Sequence, residues 1–209
     1  PGFIDIHSHA DWILPAPDHG VLVEPFVRQG VTSVVTGNCG FSPAPVSDVS
    51  RESARAASRL MHDGSLAPEW ETMGAFLDHL ERGGVALNVA QLVGHGSVRS
   101  AVTGVLETRA PKPDELRAMQ RLVEEALDAG CAGISTGLGY APGIFSGEEE
   151  LTAFAAMAAR RGRLFTSHLK AYSWASGVYA HDPKQDPHNL TAIREILNVA
   201  RAAGVRLQI

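Results

Sequence analysis

Six short apolar runs alternate with five amphipathic stretches along this chain, and that alternation constrains its fold more than any other feature. The runs are Phe3 to His7, Val31 to Val35, Val85 to Val93, Cys131 to Thr136, Leu164 to Ser167 and Val205 to Ile209. The second is β-branched and bounded by Gly30 and Gly37, which marks a buried strand. Between the runs, Asp114 to Ala129 places Leu116, Met119, Leu122, Val123, Ala126 and Leu127 at the i, i+3, i+4 spacing of a one-sided helical stripe. Pro113 precedes that stripe and Gly130 ends it, the expected start and stop signals. Glu148 to Arg161 and Leu190 to Ala203 repeat the scheme, with Gly162 and Gly204 as stops. Ser50 to Met61 and Thr72 to Arg82 read as two helices between the second and third strands.

Strands that alternate with helices imply βα units and a parallel sheet. Polar and glycine-rich clusters follow the strands: His7-Ser8-His9, Gly37-Asn38-Cys39-Gly40, Gly94-His95-Gly96, Gly137-Leu138-Gly139-Tyr140 and His168-Leu169-Lys170. Function gathered at the C-terminal ends of parallel strands is the rule for (β/α)8 TIM barrels and for doubly wound sheets. A full barrel needs eight strands and typically about 250 residues. The expectation is therefore a single α/β domain over residues 1–209, a partial (β/α)8 barrel that stops after about the sixth strand. Both chain ends read as cut.

Composition narrows the partners. A net charge of −5 argues against nucleic acid or an anionic membrane as the main partner, because both want a basic face. There is no run of about 18 apolar residues, so no membrane span is expected. No signal-type segment is read at the start, and a cytoplasmic location is the expectation. Two cysteines exclude a disulfide framework. Cys39 ends its strand and Cys131 begins another, so they should lie a strand length of roughly 17–20 Å apart, too far to bridge. Cys131 reads as core.

His7 and His9 are two apart on a strand, so both side chains leave one face. By themselves they are a pair of imidazole ligands or two polar residues at a strand end. A lone cysteine is most often a small buried hydrophobe, but Cys39 lies among glycines at a strand end, where a thiolate can meet a cation.

The run Pro1-Gly2-Phe3-Ile4-Asp5-Ile6-His7-Ser8-His9 resembles the opening strand of the metal-dependent amidohydrolase superfamily. Asn38-Cys39-Gly40 resembles one branch of it, the N-acyl-D-amino-acid deacylases or D-aminoacylases. Gly94-His95-Gly96-Ser97-Val98-Arg99, Ser135-Thr136-Gly137-Leu138-Gly139-Tyr140-Ala141-Pro142-Gly143 and Ser167-His168 match the same branch in order. The resemblance implies a zinc-dependent hydrolase of linear amides that turns N-acyl-D-amino acids into D-amino acids and carboxylates. It places Cys39 and His168 on a tighter Zn²⁺ and His7 and His9 on a second, weaker position. Tyr140 becomes a donor to the tetrahedral oxyanion or an aromatic packed under the barrel mouth. His95 orients a ligand or touches substrate. Lys170 pairs with the substrate carboxylate as a point charge. The partner expected is a small N-acyl-amino-acid-like molecule, with no nucleic acid, no membrane, and homo-oligomer formation left open.

The pattern departs after His168, where the family continues with an Arg and then an acid. Here Leu169-Lys170-Ala171-Tyr172 follows, and then the loop 180–188. That loop carries His181 and His188, which its prolines give no fixed metal spacing. Asp11 reads as a support for the site or a loop acid, and His19, His62 and His79 as surface residues. Two other readings stand beside the first. Cyclic-amide hydrolases of the dihydroorotase or hydantoinase type bridge their metals with a Lys on the fourth strand, and Cys131 to Thr136 contains none. A barrel fragment that binds metal or a partner without turnover is the third. In the family the next metal His and the catalytic Asp would follow Ile209, and the last strands and a small flanking β domain are expected to be absent from this chain. The 209-residue chain by itself is thus expected to be inactive, to hold little metal and to self-associate.

Overall fold

The computed structural model describes residues 1–64, 66–182 and 184–209. Six parallel strands hydrogen-bond in sequence order: β1 (Phe3–Asp5), β2 (Val31–Thr36), β3 (Asn88–Gly94), β4 (Gly133–Gly137), β5 (Leu164–His168) and β6 (Arg206–Gln208). The helices are α1 (His19–Leu22), α2 (Glu24–Arg28), α3 (Arg51–Met61), α4 (Met73–Gly83), α5 (His95–Thr103), α6 (Pro113–Asp128), α7 (Glu148–Arg160) and α8 (His188–Ala203). Every strand-to-strand connection carries at least one helix, and no strand is skipped. That is the order of a TIM barrel, of which six strands are present here.

One core lies between the sheet and the helices. Ile134 and Phe165 point outward from neighbouring strands and meet Met119 and Val123 of α6 and Phe154 of α7, all fully buried. The inner face of β4 is different. Alternation puts Gly133, Ser135 and Gly137 there, a row with almost no side-chain bulk. The loop after β2 lies across that row. A methyl group on Gly137 would collide with the Cys39 carbonyl and the Tyr140 hydroxyl.

An ionic cluster sits in the helix layer. Arg99 of α5 donates from Nη1 to both oxygens of Glu150 on α7, at 2.8 and 2.7 Å. His95 Nε2 lies 2.8 Å from Glu150 Oε1, and Arg99 Nη2 donates to the Arg109 carbonyl at 2.6 Å. The three side chains tie α5, α7 and the chain before α6 together.

Several expectations need correction. β1 stops at Asp5, so His7 and His9 are not strand residues. β3 begins at Asn88 rather than Val85, and β4 at Gly133 rather than Cys131. α1 and α2 occupy 19–28, where Pro25 and the short length left no legible stripe. The Gly94-His95-Gly96 run, read as a strand-end loop, opens α5. That helix contains Gly96, Val98, Val102 and Thr103, poor helix formers, and its packing decides its structure. His19, His62 and His79 are half-buried instead of exposed, and His79 packs on Trp70 at 5.1 Å. Cys39 and Cys131 are both free thiols, as expected.

Candidate metal centre

Two turns and one strand end bring four donors together. After β1 the chain bends: the His7 amide donates to Asp5 Oδ1 at 3.0 Å, and the Ser8 amide reaches the Val35 carbonyl of β2 at 3.0 Å. Ser8 Oγ accepts from the Ala10 amide at 3.1 Å, and a 3-10 turn, Ala10–Trp12, follows. This bend replaces the strand geometry, yet it still brings the His7 and His9 rings edge to face, 5.9 Å apart. Asp11 is no loop acid. It is fully buried, and its Oδ2 accepts from Gln91 Nε2 at 3.1 Å, while Thr36 Oγ1 donates to Gln91 Oε1 at 2.6 Å. Burial pushes the Asp11 carboxyl up to about 7, against the hydrogen bond from Gln91.

The second turn carries Cys39. Its φ is +58°, and among the described residues it is the non-glycine residue with positive φ. Such a backbone costs of order 1–3 kcal/mol and persists only where the surroundings impose it. Its thiol stands 3.2 Å from His7 Nε2 and 3.7 Å from Nδ1 of His168, the last residue of β5. The donor atoms of His7, His9 and Cys39 all lie within 4.8 Å of one another.

The electrostatics suit a cation. Burial lowers the His9 pKa, and the neighbouring charges of His7 and His168 lower it further; burial and then His7 do the same to His168. Neutral imidazole is the form that ligates. Burial also holds the Cys39 thiol above its ordinary range, the opposite of what a ligand thiolate needs, and a cation beside it would reverse that. Two further features test the fit. His9 Nδ1 is buried without any hydrogen-bond partner. Zn–S and Zn–N bonds at a tetrahedral angle put sulfur and nitrogen about 3.6 Å apart, close to the separations around the thiol. The donor set fits zinc.

No family model matches the chain. The D-aminoacylase of Alcaligenes xylosoxydans xylosoxydans is 33% identical over 206 residues, which is 98% of this chain and 38% of the relative. An N-acyl-D-glutamate deacylase from the same organism is 40% identical over 170 residues, 81% of this chain and 33% of the relative. A crystal structure of D-aminoacylase, described as defining a novel subset of amidohydrolases, superposes with a TM-score of 0.82 at 32% identity, over 99% of this chain and 39% of that one. The chain belongs to the D-aminoacylase branch of the amidohydrolases. The N-acyl-D-glutamate deacylase of Bordetella bronchiseptica, solved with zinc and a phosphonate mimic of the tetrahedral intermediate, superposes with a TM-score of 0.80 at 35% identity, over 100% of this chain and 40% of that one. The chain thus spans 33–38% of the length of these curated D-aminoacylase-type relatives.

The remaining residues expected in this D-aminoacylase-type site divide. Tyr140 is beside it: its ring lies 5.0 Å from His168 and stacks on Phe41 at 5.2 Å. Its hydroxyl, however, donates to the Cys39 carbonyl at 2.7 Å, so it braces the thiol turn rather than standing free for an oxyanion. His95 does not reach the site. It is the first residue of α5, fully buried, and its ring faces Glu150 and Phe154 in the helix layer. Lys170 is also turned away. Its Nζ lies 3.9 Å from Glu195 of α8 and 5.5 Å from the centre of the Tyr179 ring. His181 and His188 have separate partners, Trp174 and the Ser176 amide, and Pro183 of their loop lies outside the described residues.

Gly137→Ala tests the packing at the thiol turn. The added methyl would push on the Cys39 carbonyl, and metal affinity should fall about 10–100-fold, the range for groups that support a ligand. Metal titration of the variant reads this out; unchanged affinity would mean that the loop gives way without moving the thiol.

Proposed function

We propose that this chain supplies the metal-binding part of a zinc-dependent deacylase that hydrolyses N-acyl-D-amino acids. One observation carries the reading: a thiol held in a left-handed turn between His7 and His168, with His9 alongside. In this reading Cys39 and His168 hold the tighter ion, and His7 and His9 serve a weaker position that shares the thiol. Bound there, zinc supplies polarisation of the amide carbonyl and a nucleophile from water near neutral pH.

The chain's own residues do the rest by placement. His9 and His168, whose charged forms burial disfavours, present lone pairs beside the His7 ring. Asp11, through Gln91 and Thr36, fixes the floor beneath the histidine bend. Tyr140 and Phe41 wall one side of the cluster and keep water from that face. The substrate's α-carboxylate has no cation from Lys170 here, since that side chain is engaged with Glu195.

The test is stereochemical. A protein carrying this segment within a complete barrel, given racemic N-acetyl amino acids, should consume the D enantiomer and leave the L. Loss of the L enantiomer alone would refute the substrate assignment.

A further inference from the structure

One buried hydroxyl spans the whole Cys39 turn. Ser135, on the inner face of β4, is fully buried. Its Oγ donates to the Gly37 carbonyl and accepts from the Gly40 amide, the latter at 3.0 Å. Those two glycines flank Asn38-Cys39, so a single oxygen closes the turn from both ends, as donor and as acceptor at once. The turn is also closed from within: the Phe41 amide donates to the Asn38 carbonyl at 3.0 Å, and the Tyr140 hydroxyl donates to the Cys39 carbonyl at 2.7 Å. Ser97 N donates to the Gly40 carbonyl at 3.1 Å, and Asn38 Nδ2 donates to the Val35 carbonyl at 2.9 Å. What the Ser135 hydroxyl adds is a tie from both flanking glycines to β4.

Cys39 needs such a restraint. The left-handed region disfavours any side chain bearing a Cβ, and an unrestrained cysteine would rotate out of it. Rotation would swing the thiol away from its place between His7 and His168. The site for the restraining hydroxyl exists because Gly137 leaves the loop room to lie against β4: a Cβ there would fall on the Cys39 carbonyl.

We propose that Ser135 is a positioning residue for the metal centre: its two hydrogen bonds fasten the left-handed turn to β4 and so aim the Cys39 thiol at the histidines. The inference rests on the reading of Cys39 as a ligand, and the test separates the two. The 209-residue chain is titrated with Co²⁺, and the thiolate-to-cobalt charge-transfer band is followed. The unaltered chain should show the band and Cys39→Ala should lack it. Ser135→Ala should lower the apparent Co²⁺ affinity about 10–100-fold. In the metal-free chain it should also shift the ¹³Cα and ¹³Cβ resonances of Cys39, which are easily assigned with two cysteines present. Thr136→Val is the control, since it removes a neighbouring buried hydroxyl bonded to Ser167 at 3.0 Å and should change neither reading.

Wild-type affinity and unshifted Cys39 resonances in Ser135→Ala would overturn the inference and leave the ligand reading intact. An equal loss in Thr136→Val would overturn it too, by showing general loosening of β4. Absence of the band in the unaltered chain with Co²⁺ in large excess, where weak binding is driven to completion, would remove the ligand reading, and this inference with it. Should Ser135→Ala fail to fold, the Gly40 amide of the unaltered chain decides. Slow hydrogen exchange there supports the clamp, and free exchange refutes it.

Discussion

In a complete barrel that carries this segment, Cys39→Ala should abolish the proposed tight zinc binding and deacylation. The thiol is the one donor close to both His7 and His168, at 3.2 and 3.7 Å, so its loss breaks the link between the two sides of the cluster. Affinity should fall by more than the 10–100-fold seen when a group that only supports a ligand is removed. Elemental analysis after desalting reads the zinc content directly. Zinc retained at the unaltered level, with full activity, would return Cys39 to the core as an ordinary buried thiol.

Glu150→Ala should be the most damaging change to stability outside the centre. Arg99 is fully buried and Glu150 is 4% exposed, so the alanine variant strands a guanidinium in the helix layer. Removing one partner of a buried ion pair typically costs about 3–5 kcal/mol. His95 would lose its partner as well. Urea unfolding measures the loss, and a change below about 1 kcal/mol would show that water reaches Arg99. The same carboxylate gives an acid-side signature. Burial pushes Glu150 up, but the hydrogen bond from His95 and the charges of His95 and Arg99 outweigh it and hold the group below its ordinary 4.5. A depressed folded value means that this stabilisation is complete above pH 4.5 and is lost as pH falls through the lower value. Glu150→Gln should therefore lose less stability on acidification than the unaltered chain.

Much of this was legible in the sequence, for physical reasons that vary by residue. The strands and long helices follow from apolar period, and α6 and α7 fall within a residue or two of the expected bounds. His7, His9, Cys39 and His168 stand out in the sequence because their motifs follow strands and resemble those of the deacylase branch. Residues one step further along the chain misled. The strand-end rule gives height along the barrel but not the direction of a side chain once the strand is over. His95 enters a helix and turns into the helix layer, and Lys170 reaches α8. The bonds that Ser135, Gln91 and Asp11 make here were not legible, because those partners lie 80 to 98 residues apart and only the folded sheet reveals them.

The donors come from the ends of β1, β2 and β5. On a flat sheet, β2 and β5 would stand three strand spacings apart, about 14 Å. Across that interval the thiol of Cys39 and the ring of His168 are separated by 3.7 Å. The curl of the sheet and the reach of the thiol turn close the difference between them. An ion gripped there is therefore fastened to both sides of an arc, as a clasp is to the two ends of a strap. Loaded, the arc resists being unrolled; empty, the same strands are joined around the bend by their ladders, the helix layer and the bonds of the thiol turn.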